Sequence, residues 1–381
     1  MALDLTLTGA QVLWPDALGE GPLHLSGGMI ADAPCGRAVD LSGYIVLPGI
    51  VDVHGDAFER HLAPRRGAMK ERAEGLVATE AELAANGITT AYLAQFYSWE
   101  GGLRGPEFAD SVFTALAETR VQFVTDLRGQ LRFETHMLDD FDAIPGLMAR
   151  WGVEYIVFND HLPHDKLEQG KRPPRLVAQA LKAARNPDTH FEMMLEMHGR
   201  SDEVPDALDR LTETLLEQGV RIGSHDENTA THRDAWRGRG AKISEFPETQ
   251  EAAEAARQGG DGIILGAPNL VRGGSHKGNV SALELVALGL CDALASDYHY
   301  PSLRRAALLL ESGGVLPMAD AWALVSSGPA RLMGLEDRGR LEAGLRADLV
   351  MLDARTRRVA ATMAGGRFSY LNGDIAGRFI A

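Results

Sequence analysis

Residues 47–65 read LPGIVDVHGDAFERHLAPR. The run Pro48-Gly49-Ile50-Val51-Asp52-Val53 is apolar enough to form a short buried strand, and it leads directly into His54-Gly55-Asp56. Side chains two apart on a strand share a face, so His54 and Asp56 can converge on one ion. Gly55 leaves the backbone room to turn away beneath them. A hydrophobic strand that ends in ligands is how a barrel enzyme presents chemistry at its carboxyl face. An isolated His-x-Asp is more often a plain polar strand end, so its meaning depends on the later strands.

Downstream, strand and helix patterns alternate. Apolar runs at 88–93, 131–133, 155–158, 221–223, 242–244, 262–265 and 293–295 make eight strands with the first. Helical patterns fall between them, at 76–85, 108–116, 208–216, 251–257 and 283–288. Eight βα units over about 290 residues match a (β/α)8 TIM-type barrel. Between strands four and five, residues 175–217 hold two or three helical stretches, read as an elaborated crossover or lid. The run EMMLEMHG (192–199) places Glu192 and Glu196 at a spacing that can hold a metal. Met193, Met194 and Met197 make an amphipathic packing helix the better reading.

The two ends of the chain have a different texture. Residues 1–47 and 340–381 are short alternating segments broken by turns, such as Leu3-Leu5-Leu7 and Ala347-Asp348-Leu349-Val350-Met351-Leu352. They predict one small β domain, a β-sandwich with antiparallel pairing built from both termini, with the barrel at 48–339. A doubly wound open sheet is the competing fold, but it leaves the paired ends unexplained.

Composition narrows the function. The 381 residues carry 38 Lys+Arg against 53 Asp+Glu, a net charge of −15. That balance disfavours nucleic acid and anionic membrane surfaces, though a local basic pocket can still take an anionic substrate. Cys35 and Cys291 stand far apart and read as small buried residues rather than a staple. The start MALDLTLTG lacks a basic segment followed by an apolar core, so no signal peptide is expected. No apolar run approaches the roughly 18 residues of a membrane helix. A cytoplasmic enzyme follows as the expectation.

The strand ends are rich in ligands. Glu134 follows strand three, His161 strand four, His225 and Asp226 strand five, Glu245 strand six, and Asp297 strand eight. With His54 and Asp56, the set His54, Asp56, Glu134, His161, His225 and Asp297 suffices for two ions about 3.5–4 Å apart. Each alone reads as a satisfied polar residue. Together they repel at one mouth unless something neutralises them.

The strand-seven loop, 266–279, carries Arg272, Gly273, Gly274, Ser275, His276 and Lys277. Loops after strands seven and eight commonly bind phosphate in such barrels. Adjacent glycines expose backbone N–H groups, and Arg272 and Lys277 suit phosphate oxygens. His276 can serve as phosphate donor or metal ligand. Arg60, His61, Arg65 and Arg66 form a second basic group, able to grip the far end of an extended anion or simply to be solvated. Arg104 and Arg128 are lesser contributors. Asp226 and Glu245 join the substrate contacts.

The pattern resembles the amidohydrolase superfamily: a β domain from both termini, Pro-Gly-x-x-Asp-x-His, and GLRADLVMLD near the end. More narrowly it is similar to the PhnM family, the α-D-ribose 1-methylphosphonate 5-triphosphate diphosphatases of the carbon–phosphorus lyase pathway. LPGIVDVHGDAFERHLAPR, IGSHDENTATH, ISEFPETQEAAEAAR, ILGAPNLVRGGSHKGNVSALEL and LASDYHYPSL carry the likeness. The crossover lies outside it. The superfamily usually has a second His where this chain has Asp56, whereas the narrower family is expected to have a carboxylate there.

The resemblance implies metal binding by His54, Asp56, Glu134, His161, His225 and Asp297, with Glu134 bridging two ions. Zn, Mn and Fe all suit such ligands. It implies hydrolysis of a ribosyl 5-triphosphate to the 5-phosphate and diphosphate, with Asp297 moving the water's proton. Arg272, Lys277 and His276 would neutralise phosphoryl charge. The expected partners are a small phosphorylated substrate and further copies of the chain, as a dimer or larger. The competing readings are a carbon–nitrogen hydrolase on the same cradle, a metal-free binding protein on the same barrel, and a cyclic phosphodiesterase.

Overall fold

The computed structural model describes residues 2–63, 71–273 and 280–380. Its centre is an eight-stranded parallel sheet, β1 (Ile50–Gly55), β2 (Ile88–Tyr97), β3 (Asp126–Glu134), β4 (Tyr155–Asn159), β5 (Arg221–His225), β6 (Ile243–Glu245), β7 (Gly262–Gly266) and β8 (Ala293–Ala295). Each strand pairs with the next, and a bridge between Gly55 and Asp297 closes the ring. The (β/α)8 barrel expected from the strand pattern is present, with β2 and β3 longer than their apolar runs suggested.

Alternation sorts the strand side chains. On β4, Ile156 and Phe158 join the large apolar cluster beneath the helices, while Tyr155 and Val157 fill the barrel interior. On β8, Leu294 faces outward and Ala293 and Ala295 inward. Both faces are covered, so these strands read as continuous apolar runs. Local signals start the surrounding helices. Thr229 and Thr249 accept the backbone N–H of His232 and Ala252 at 3.1 Å, capping Ala230–Gly238 and Gln250–Gln258 just after β5 and β6.

The crossover between β4 and β5 contains three helices over 175–217. Val204–Glu217 buries Val204, Leu208, Leu211 and Leu215, one stripe at helical spacing. Leu176–Lys182 and Pro187–Gly199 form a separate core with Trp99, Leu162 and Leu167. Met194 is buried there and Met193 and Met197 pack against it, while Glu192 and Glu196 are exposed. The methionine run is therefore a packing face.

Both ends of the chain contribute to the second apolar core. A four-stranded sheet contains Leu5–Thr8, Leu23–Ser26, Met29–Ala31 and Arg37–Asp40. A six-stranded sheet joins Gln11–Leu13, Leu18–Glu20 and Tyr44–Pro48 to Leu349–Asp353, Val359–Ala364 and Arg367–Leu371. Leu5, Leu25 and Val39 from one meet Val46, Met351 and Met363 from the other. The pairing is mixed rather than purely antiparallel: Leu5–Thr8 is parallel to Arg37–Asp40, and Gln11–Leu13 to Tyr44–Pro48. The chain alternates between sheets before returning, which lets a strand come back in the same direction. Cys35 and Cys291 are unpaired thiols as expected, but partly rather than fully buried, a correction to the sequence reading. Among the described residues no helix is long and apolar enough to cross a membrane.

Candidate metal centre

β1 delivers His54 through an irregularity. Asp52 lies opposite Ala91 of β2 but Gly55 lies opposite Leu93, so three steps along β1 match two along β2. Such a bulge re-aims the residues beyond it. Val53 and His54 consequently both face inward, the first in the inner apolar cluster and the second against Glu245. The shared face expected for His54 and Asp56 assumed a regular strand. Instead His54 is wholly buried, while Asp56 lies past the strand at the mouth, its side chain 19% exposed.

Glu245 is the deep pivot. Its Oε2 lies 2.9 Å from His54 Nδ1 and 3.0 Å from His225 Nδ1. Its Oε1 accepts the Gln130 amide at 2.8 Å and the Tyr155 hydroxyl at 3.4 Å. The sequence reading made Glu245 a substrate contact; a carboxylate wholly buried between two imidazoles cannot reach out to an extended anion. The two rings stack with centroids 5.7 Å apart. Burial alone would raise the Glu245 carboxyl, yet His54 and His225 hold it well below the usual carboxylate range. Burial opposes protonation of His54, but Glu245 raises its basicity overall; His225 is lowered by burial.

Arg132 lies between this group and the rest, a residue the sequence reading passed over. Its Nη2 is 3.0 Å from His225 Nε2 and 3.2 Å from Asn159 Oδ1, and Nη1 is 3.9 Å from Asp56 Oδ2. The guanidinium lies over the Phe96 ring at 3.8 Å. The signal was available, because Arg132 is two residues before Glu134 on β3 and shares its face. Glu134 pairs with His161, Oε1 to Nδ1 at 2.5 Å, and also accepts the His161 backbone N–H at 3.1 Å. Burial opposes protonation of His161, and Glu134 raises it.

Asp297 sits where the barrel closes. Its N–H donates to His54 O at 2.9 Å, and its own carbonyl accepts the Asp56 N–H at 3.0 Å. Burial first, and the Asp56 carboxylate second, push its carboxyl up to about 6. Asp226, Phe246 and Asp297 have φ of 58°, 58° and 54°, each in the left-handed region just beyond β5, β6 and β8. For a bulky Phe this is strained backbone, the kind concentrated at functional sites. It sets the Phe246 ring edge-on to His54 and His225, at 5.0 and 5.1 Å. Glu59 is an acid the sequence reading did not single out: burial and Asp56 push it up to about 7.

The basic groups divide differently from expectation. Arg60 and His61 both pair with Glu82, His61 Nε2 at 2.6 Å, so their charge is compensated inside the fold. Arg104 pairs with Glu100 at 2.7 Å and lies over Phe96. Arg128 is near the amino end of β3, pairs with Asp126 at 3.0 Å and lines a cavity at that far end, so it cannot serve the mouth. Arg272 ends a short helix, Ala267–Arg272, that Gly273 caps at φ 77°. Its Nη2 donates to Asn269 at 2.9 Å, and it lines a cavity of about 240 Å³ with Arg132, His225, Asp226 and Asp297. Arg65, Arg66, Gly274, Ser275, His276 and Lys277 lie outside the described residues.

The residues present fit a bound cation. His54 is fully buried, with Nδ1 2.9 Å from the Glu245 carboxylate and no hydrogen-bond partner for Nε2. An orphaned ring nitrogen of this kind needs a proton acceptor or a metal. One ligand atom each from His54, His225 and Glu245 lies within 4.8 Å of the other two.

Comparison with known proteins agrees with this architecture. The amidohydrolase family matches residues 66–373. The α-D-ribose 1-methylphosphonate 5-triphosphate diphosphatase of Escherichia coli (strain K12) is 32% identical over 323 residues, 83% of this chain and 85% of that protein. Among solved structures, atrazine chlorohydrolase TrzN from Arthrobacter aurescens TC1, complexed with zinc, superposes with a TM-score of 0.64 at 15% identity, over 99% of this chain and 98% of that one. N-acyl-D-glutamate deacylase from Bordetella bronchiseptica, complexed with zinc and a phosphonate inhibitor, gives 0.60 at 14% identity over 97% of both chains. The first two matches fix the lineage and the last two agree with the fold: this chain belongs to the amidohydrolase superfamily and, within it, to the α-D-ribose 1-methylphosphonate 5-triphosphate diphosphatase family.

Proposed function

We propose that this hydrolase cleaves a phosphoanhydride of α-D-ribose 1-methylphosphonate 5-triphosphate, giving the 5-phosphate and diphosphate in phosphonate catabolism. The observation that carries the reading is the convergence of His54 and His225 on Glu245 at the mouth of this barrel. His54, His225, Glu134, His161, Asp56 and Asp297 would hold divalent ions, two per chain, of the Zn, Mn or Fe class. Such ions, when bound, lower the pKa of water and polarise a phosphoryl oxygen.

The protein's own groups do the rest. Glu245, locked by Gln130 and Tyr155, steadies the Nδ1 side of both imidazoles and leaves His54 Nε2 for a ligand, while His225 Nε2 is shared with Arg132 at 3.0 Å. Asp297, with its carboxyl raised to about 6, accepts the proton released by the attacking water. Arg132 offsets charge growing on the phosphoryl group and on the departing diphosphate, and Arg272, lining the same cavity, binds the triphosphate. Lys277 and His276 would add positive charge for the phosphates.

Hydrolysis of a carbon–nitrogen bond is the second reading, favoured by the pairing of Arg60 and His61 with Glu82, which removes one anion-binding group. The deciding experiment offers the purified enzyme α-D-ribose 1-methylphosphonate 5-triphosphate, nucleoside triphosphates, and a panel of N-acyl and amide compounds. Release of diphosphate is expected. Turnover of an amide with no diphosphate from any triphosphate overturns the proposal.

A further inference from the structure

A second group of ligands lies beside the first and shares no residue with it. His136 follows β3, Asp160 follows β4, and His164 opens the next helix, His164–Glu168. Asp160 Oδ1 is 3.6 Å from His136 Nδ1, and the same carboxylate lies 3.0 and 3.2 Å from His164 Nε2. Adjacent donors of a tetrahedral zinc site, with bonds of about 2.0–2.1 Å, stand about 3.3–3.4 Å apart. The separations from Asp160 bracket that value, and the three ligand atoms all lie within 4.8 Å of one another.

The far nitrogens of both imidazoles are already engaged. His136 Nε2 lies 3.2 Å from Ser201 Oγ, and that hydroxyl donates its own proton to the His198 carbonyl at 2.7 Å. Ser201 must then accept from His136 Nε2–H, which leaves a lone pair on Nδ1. That lone pair stands near the Asp160 carboxylate, with the Thr135 hydroxyl also 3.2 Å away. His164 Nδ1 is 2.8 Å from His198 Nδ1, so the crossover helix Pro187–Gly199 holds that ring too. Metal-bound imidazoles are held in this manner through the nitrogen that does not bind.

The geometry points to a further cation site, in which His136, Asp160 and His164 hold a zinc-class ion. Two imidazole nitrogens and one carboxylate oxygen form a donor set that zinc accepts, and three protein ligands leave a fourth position open. Asp160 and His164 line a cavity of about 370 Å³ together with His161, His225, Asp226 and His232. The open position therefore has room for water or for an oxygen of an anionic substrate. The ion also ties β3 and β4 to the crossover, through Ser201 and His198. This site stands whether or not the diphosphatase reading does.

The test is metal content by plasma mass spectrometry on full-length protein equilibrated with zinc and desalted. His164→Gln is expected to carry one zinc per chain fewer than wild type. His164→Cys is expected to match wild type, because a thiolate also binds zinc. His54→Asn breaks the catalytic centre and is expected to leave the His164-dependent ion in place, which separates the two proposals. Equal zinc in His164→Gln and wild type overturns the site. If His164→Gln does not fold, His198→Gln is expected to release this zinc to a chelator at least tenfold faster; unchanged release overturns the site equally.

Discussion

Ser296 donates its hydroxyl to Asp52 at 2.5 Å, across the seam where β8 meets β1. The Ser296 N–H reaches the other carboxylate oxygen at 3.1 Å, and both side chains are wholly buried. The pair fixes the two strands that lead into His54 and Asp297. Ser296→Ala leaves a buried carboxylate oxygen without its donor and is expected to lower stability by about 1–3 kcal/mol. Urea titration of the variant against wild type checks this.

Gly55 has no room for a side chain. A Cβ there would lie 2.8 Å from Asp52 Oδ2, Ser296 Oγ and Tyr300 Cε1. Gly55→Ala is expected to cost about 1–3 kcal/mol, as overpacking does, and to displace His54 with the strand end. A lower melting temperature together with loss of bound metal is the expected pair of readouts.

Glu82 predicts a pH signature. Burial would raise its carboxyl, but the bonds from Arg60 and His61 leave it below the ordinary value of 4.5. A carboxylate depressed in the folded state stabilises fully above its unfolded pKa, and that contribution is lost as pH falls through the folded value. Glu82→Gln is expected to lose under about 1 kcal/mol at neutral pH, a figure already discounted for solvent screening. Its deficit should vanish in acid. Denaturation curves at neutral and acidic pH measure the difference. Arg60→Ala is expected to leave KM for the triphosphate unchanged.

Arg272 is placed to bind rather than to react. Arg272→Ala is expected to raise KM for the triphosphate about tenfold, equivalent to about 1.4 kcal/mol, with kcat little altered. Steady-state kinetics at low and high salt test this, since screening should narrow the gap between variant and wild type.

Much of this was visible in the residues, for identifiable reasons. The barrel declared itself because its strands are largely buried on both faces and several run into a polar residue, so 155–158 and 293–295 could be placed within a residue of β4 and β8. His54 and His225 stand out as candidates for the same reason. The role of Glu245 was not, because it depends on a contact with His54 across the barrel, 191 positions earlier in the chain (245 minus 54). Asp56 was misplaced because a bulge leaves no local mark in Val53-His54-Gly55. Arg132 was missed because the apolar run 131–133 hid a charged residue on the inward face. His164 and His198 meet only through the crossover, where sequence periodicity gives helices but not their docking.

The claim most directly open to test is that His54 and His225, steadied by Glu245, hold a metal at the mouth of the barrel. An anomalous difference map from crystals of active enzyme, recorded at the metal's absorption edge, measures it. The account predicts a peak about 2.0–2.1 Å from one nitrogen of each imidazole. An active crystal with no peak within reach of either ring would contradict it.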